Sequence, residues 1–201
     1  EVAGWERANW FLPEAAVAAG ETPAYEYSWK RQNWFDYSAT EHHAVRQTAG
    51  LFDMSSFGKI KLVGRDAEAV LQRIAANDVA VPVGKIVYTQ FLNEAGHIEA
   101  DVTVTRLAAD EFLVVTPAAT IRRDLHWITS HIPDDAQAYV IDMTVSESVL
   151  VVMGPQARQF LQPLIPQSLE NDYFAFGTMQ PIEIGHAVGR AHRVPYAGEL
   201  G

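Results

Sequence analysis

Cysteine is absent from the 201 residues, which excludes a disulfide framework, thiolate zinc sites, iron–sulfur clusters and thiol nucleophiles. Basic charge is sparse: 15 Lys and Arg stand against 25 Asp and Glu, for a formal charge of −10, and the cations are scattered instead of clustered. Nucleic-acid binding needs a concentrated positive surface and is not expected. No uninterrupted apolar run approaches the roughly 18–20 residues of a membrane span, and the first residues lack the basic-then-apolar pattern of a secretory signal. The seven histidines, at 42, 43, 97, 126, 131, 186 and 192, form no His-x-x-x-His pair with an acidic neighbour, so no metal site is expected. A glycine-rich phosphate loop is missing, since GKIKLVGRD has neither the glycine spacing nor the Lys-Ser/Thr ending, and a dinucleotide held within these residues is not expected. A Ser-centred nucleophile elbow is missing too, leaving Ser55 and Ser56 as turn or cap residues. A cysteine-free chain suits a reducing compartment, the cytoplasm or, in a eukaryote, the mitochondrial matrix.

The chain does have a hydrophobic content of 48%, enough for a real core. Residues 1–37 hold four of the five tryptophans and read as an aromatic arm that packs on a neighbour, either this chain or a partner domain. The spacing predicts a short helix at 40–48 with Thr40 as N-cap, a helix from Asp66 with apolar positions at 67, 70, 71, 74 and 75, and a third from Pro117 to about His131. Pro155 opens another. Strands are predicted at 58–63, 111–116, 138–143, 147–153, 178–184 and 187–194. Strands in adjacent groups separated by single helices indicate an α+β fold with mostly antiparallel sheets.

The segment YTQFLNEAGHIEADVTVTR, residues 88–106, predicts a β-hairpin around the turn-forming cluster Asn93-Glu94-Ala95-Gly96. In its second strand Ile98, Ala100, Val102 and Val104 share one face, while Glu99, Asp101, Thr103 and Thr105 share the other. Setting Asn93 opposite Gly96 puts Tyr88 directly across from Asp101. An aromatic ring beside a carboxylate is either a ligand cradle or an ordinary neighbour pair on a solvated face, and spacing alone does not separate the two.

The ordered set AVRQTAGLFDMSSFGKIKLVGRDAEAVLQ, NDV, VGKIVYTQFLNEAGHIEADVTVTRL and RVPYAGELG resembles the tetrahydrofolate-binding half of the aminomethyltransferase family. The GWERANWF run at 4–11 is similar to the segment preceding the folate domains of FAD-dependent dimethylglycine and sarcosine dehydrogenases. The resemblance implies a tetrahydrofolate pocket with Asp101 as the catalytic acidic group, lined by Phe57, Tyr88, Thr103, Val115, Tyr173 and Tyr196. For each aromatic, core packing is the competing expectation. Two departures stand out: His97 replaces a second turn glycine, and Ala100 stands where glycine-cleavage members carry another carboxylate, which favours the dehydrogenase-linked branch.

The resemblance further implies truncation at both ends. Residues 38–201 would be the folate-binding region without its C-terminal barrel, residues 1–37 the arm following a missing flavin domain, and a pterin-holding glutamate would lie just past Gly201. The isolated piece would then be inactive and bind folate weakly. The implied activity is capture of an iminium or formaldehyde unit as 5,10-methylene-tetrahydrofolate, with FAD upstream and a small N-methylated amine as substrate. The competing expectations are a catalytically idle folate-binding module, of regulatory or repair type, and a scaffold docking a flavoprotein.

Overall fold

The computed structural model describes residues 4–6, 8–195 and 200–201. In its main sheet the run GKIKLV forms β2 (Gly58–Val63). Alternation sends Ile60 and Leu62 to one side, both fully buried, where they meet Val114 and Phe112 of the antiparallel β5 (Glu111–Thr116). The hairpin strands β3 (Ile86–Leu92) and β4 (Ile98–Ala108) and the short β6 (Tyr139–Asp142) complete a five-stranded sheet in the order β3-β4-β5-β2-β6, with every pairing antiparallel.

Two amphipathic helices cover one face of this sheet. Helix α3 (Ala67–Ile74) buries Ala67, Val70, Leu71 and Ile74, and α4 (Ile121–Ser130) contributes Ile128. With Phe91, Ala100, Val102 and Val104 from the hairpin they form one contiguous core. The Asp124 carboxylate, 1% exposed, fixes α4 to the end of β5: it accepts hydrogen bonds from the Thr116 and Thr120 hydroxyls and pairs with Arg123 Nε at 3.0 Å. Burying a charge is tolerable only with partners of this kind. Two smaller sheets flank the main one. β1 (Gly50–Asp53) pairs with β7 (Leu150–Met153), and β8 (Met179–Ile184) with β9 (Ala187–His192). A satellite core of Ile165, Leu169, Phe174 and Ile182 lies beneath the latter.

Helix α2 spans Phe35–Gln47 and begins five residues before the expected start. Thr40 is not its N-cap: the hydroxyl turns back to the Asp36 carbonyl at 2.9 Å, the mid-helix alternative to capping. The helix expected from Pro117 divides into a 3₁₀ turn at Ala118–Thr120 and α4. Beyond Pro155 come α5 (Ala157–Leu161) and a 3₁₀ turn at Gln162–Leu164.

The aromatic arm is only partly extended. It contains α1 (Glu14–Ala18), and Trp10 stacks on Tyr37 of α2 at 5.8 Å between centroids. Residues 24–33 form a loop stitched by Asn33, which donates Nδ2 to the Ala24 carbonyl at 2.8 Å and accepts from Glu26 N. That loop holds Tyr27 and Trp29 out in solvent, 92% and 107% exposed.

Replacing Phe91 by Ala removes a fully buried ring from the interface of hairpin and helices. The expected loss is about 3–5 kcal/mol, read as a lower urea midpoint at an unchanged m-value.

Candidate functional site

Opposite the helix-covered face, the sheet presents a polar side. β4 contributes Asp101, Thr103 and Thr105 to it by alternation. Tyr88, Thr103, Val115 and Lys59 form one cross-strand row on this side, with Tyr88 opposite Thr103, Thr103 opposite Val115, and Val115 opposite Lys59. The neighbouring row pairs Gln90 with Asp101.

This register differs from the expected one by two residues, so Tyr88 is the diagonal neighbour of Asp101. Two local features shift it. Asn93 accepts backbone hydrogen bonds from Ala95 and His97 through its side chain and donates its own N–H to the His97 carbonyl at 3.0 Å, closing a wider turn in which Gly96 takes φ +79°. A bulge at Phe91/Leu92 then adds another residue on β4. Ile98, expected on the core side, is 66% exposed at the hairpin end beyond that bulge. Because the total shift is even, Tyr88 and Asp101 keep a common face.

The side chains span the diagonal. Tyr88 donates its hydroxyl to Asp101 Oδ2 at 2.9 Å, and Gln90 donates Nε2 to Oδ1 at 2.9 Å, so each carboxylate oxygen receives one donor from β3. Asp101 is exposed, and the Tyr88 ring is 61% exposed. The carboxylate is held but open. On its other side β5 ends at Thr116, one residue short of the position that would oppose Asp101.

Thirteen ångströms or so along β4, by the strand rise, the same face is closed. Thr105 is fully buried, its hydroxyl 3.5 Å from His192 Nδ1 of β9, and Arg190 of β9 pairs with Glu147. Lys59, at the β2 end of the row that starts with Tyr88, is also closed off: it is 1% exposed and donates its ammonium to the Ser55 carbonyl at 2.7 Å. Burial holds its pKa below the usual lysine range, with Glu147, Asp142 and Asp53 acting in the opposite direction.

The remaining expected residues occupy neighbouring turns. Phe57, half-buried, closes the turn before β2 with its N–H on the Met54 carbonyl at 3.0 Å. Tyr173, 75% exposed, belongs to the turn that leads to Gly177, whose carbonyl accepts the Ile86 N–H at the start of β3. Tyr196 lies outside the described residues. Gln90 was not anticipated; the asparagine opening the turn is the signal that would have led to the observed register and hence to this side chain. Among the described residues no group of three or more His, Asp or Glu side chains is arranged to hold a metal ion, and no helix is long and apolar enough to cross a membrane.

The GCVT N-terminal domain family model matches residues 1–201. The chain belongs to that family. It is 40% identical over 201 residues to 4-methylaminobutanoate oxidase (formaldehyde-forming) of Paenarthrobacter nicotinovorans, covering 100% of this chain and 24% of that protein. It is 32% identical over 200 residues to the mitochondrial dimethylglycine dehydrogenase of Homo sapiens, covering 99% and 22% respectively. The chain thus spans about a quarter of the length of these relatives, which are enzymes by name. The crystal structure of glycine cleavage system aminomethyltransferase T from Bartonella henselae superposes with a TM-score of 0.71 over 94% of this chain and 51% of that one, at 24% identity. That likeness establishes the α+β, largely antiparallel fold of the family for this chain.

Within the domain, burial pushes the His192 pKa from the ordinary 6.5 down to about 4, the Arg190 guanidinium adding to the shift and Glu147 opposing it. Between those values the unfolded chain binds a proton that the folded chain excludes, so stability falls as pH drops through this window. The full contribution is on the order of 3 kcal/mol. Urea unfolding at neutral pH and near pH 4 should show a smaller acid loss in His192→Asn than in the parent chain.

Proposed function

We propose that this domain binds tetrahydrofolate on the open end of its polar sheet face and transfers a one-carbon unit to it, within a larger FAD-dependent N-methyl amine dehydrogenase of the dimethylglycine or sarcosine type. The observation that carries the reading is the Asp101 carboxylate, exposed and held by Tyr88 and Gln90, in a chain whose relatives are named for oxidation of methylated amines and for aminomethyl transfer. The face fits a reduced pterin chemically: a carboxylate can accept N–H hydrogen bonds, and Tyr88 offers a ring at its side. Thr103 and Val115 extend that face, Phe57 and Tyr173 are assigned to its rim, and Tyr196, outside the described residues, is assigned to folate contact on the family resemblance alone. FAD does not fit here, since no glycine-rich phosphate loop is present, and it is assigned to the part of the relatives' length outside this chain.

Tetrahydrofolate supplies secondary amine nitrogens that take up the one-carbon unit as 5,10-methylene-tetrahydrofolate. Forming both N–C bonds from an iminium donor removes two N–H protons from the folate and releases the amine as its ammonium. Asp101 accepts a proton from a folate nitrogen and passes it to that departing amine, so the transfer is proton-neutral overall. Positioned acid–base catalysis of this kind contributes about 100-fold to 10,000-fold. The negative charge also attracts a cationic iminium, and the strand pair that holds the carboxylate lowers the entropic cost of bringing both partners together. The loop at 24–33, with Tyr27 and Trp29 exposed, is assigned to contact with the flavin-bearing portion. Such an enzyme belongs in the cytoplasm or the mitochondrial matrix.

A second reading comes from the relative named formaldehyde-forming: the one-carbon unit is released free, and the domain is a catalytically idle folate binder or a scaffold for the flavoprotein. The two readings separate on one substitution. In the full-length protein Asp101→Asn keeps shape and a hydrogen bond but cannot accept a proton, so tetrahydrofolate binding should persist while free formaldehyde rises at the expense of methylene-tetrahydrofolate. An unchanged product ratio with folate bound would favour the idle module, and no folate binding by the parent protein would favour the scaffold.

A further inference from the structure

We propose that Gln90 is a positioning residue for Asp101, holding the carboxylate through both halves of its proton cycle. The inference rests on the reading of Asp101 as the proton acceptor. Its basis is the asymmetry of the site: both donors to the carboxylate come from β3, and β5 ends before it reaches the row of Asp101.

A carboxylate has about four lone-pair positions. A single donor would leave the group free to turn about its Cβ–Cγ bond. Donors on two different oxygens fix its plane, with Tyr88 on Oδ2 and Gln90 on Oδ1. The lone pairs left over then point away from β3, toward the side that β5 does not reach. Gln90 is the directly opposed residue of the pair and half-buried, so its side chain has fewer alternatives than a free surface glutamine.

The choice of an amide matters chemically. An ionised carboxylate accepts only, so the amide must present its NH₂ to it. A proton taken on Oδ1 from the open side leaves the lone pair that faces β3 in place for the amide NH₂, and where the O–H turns toward β3 the same amide, rotated by half a revolution about its terminal bond, presents a carbonyl to it. Gln90 therefore offers a complementary partner before and after proton uptake with no change of backbone. A glutamate of equal size would put a second negative charge directly across the strand pair, a destabilising arrangement. An aliphatic side chain would offer nothing to either state.

The test uses two variants and two readouts. In the full-length protein, with glutamine selectively ¹⁵N-labelled and Gln90→Met used to assign the signal, the side-chain amide resonances of Gln90 observed without folate should move on Asp101→Ala, and unmoved resonances would show that the hydrogen bond is absent in solution and overturn the proposal. In the full-length protein Gln90→Met, close in length and without a donor, should lower methylene-tetrahydrofolate formation at saturating folate by about 10-fold, the scale of a lost hydrogen bond to a charged group. The folate concentration for half-saturation should change little, and Gln90→Glu should lose more than Gln90→Met. Combined with Asp101→Asn, Gln90→Met should cost nothing further, because its effect runs through the carboxylate. Losses that multiply, or a Gln90→Met protein that forms product at the parent rate while Asp101→Asn does not, would overturn the positioning role and leave the Asp101 reading standing. If neither variant alters product formation, the reading of Asp101 itself fails and the inference falls with it.

Discussion

The register between β3 and β4 determines what Asp101 can do. A shift of one residue would send Asp101 into the apolar layer beneath α3 and α4, where Ala100, Val102 and Val104 are buried, and would turn Val102 out to solvent. A shift of two keeps every face but changes partners, exchanging Thr103 for Asp101 opposite Tyr88. The observed pairing depends on Asn93, whose side chain closes the wide turn, and on the bulge beside Phe91. Phe91 then locks the result, because a fully buried ring on the reverse of Gln90 cannot slide along the strand without leaving its contacts. The core on one face and the carboxylate clamp on the other are thus consequences of the same pairing.

The polar face is graded along its length. At one end the β8–β9 hairpin covers Thr105 with a histidine that burial keeps neutral near pH 7. Lys59 is sealed under the turn at 54–57, held by the Ser55 carbonyl, while the Ser55 hydroxyl accepts the Val149 N–H at 3.1 Å. These contacts join β2, the 54–57 turn and the segment before β7 across 94 residues of sequence. Tyr88, in the same row as Lys59 but three strands away on β3, and Asp101, two residues from that row along β4, remain accessible. A rigid, desolvated end supporting an open, charged end is what a site needs if a ligand must enter while the groups that meet it keep their geometry.

Much of this was legible in the sequence. Strands at 58–63 and 111–116 coincide with β2 and β5 because alternating β-branched runs are bounded there by Gly and Pro, and the apolar spacing of α3 named all four of its buried residues. Asp101 stood out as a carboxylate in an apolar strand, and parity alone placed it with Tyr88 and Thr103. The register was less accessible, since alternation carries parity but not absolute alignment, and a side-chain-closed turn followed by a bulge alters the count twice. Gln90 was hidden by that miscount. The start of α2 was missed because Trp34 and Phe35 read as part of an aromatic arm, and the burial of Lys59 because alternation assigns it to a polar face without revealing that distant segments cover it.

The clamp around Asp101 also accounts for why exposure and function are compatible at this position. A lone surface carboxylate samples many orientations, and a ligand that requires one of them must offset the cost of selecting it. Here two donors from one strand make that selection in advance, and both belong to side chains, Tyr88 and Gln90, whose backbone is fixed by the ladder to β4. Orientation is therefore supplied by the sheet and access by the early end of β5, two features separated in sequence. Altering the length of β5 should change what can approach the carboxylate without disturbing how it is held, whereas altering β3 should do the reverse.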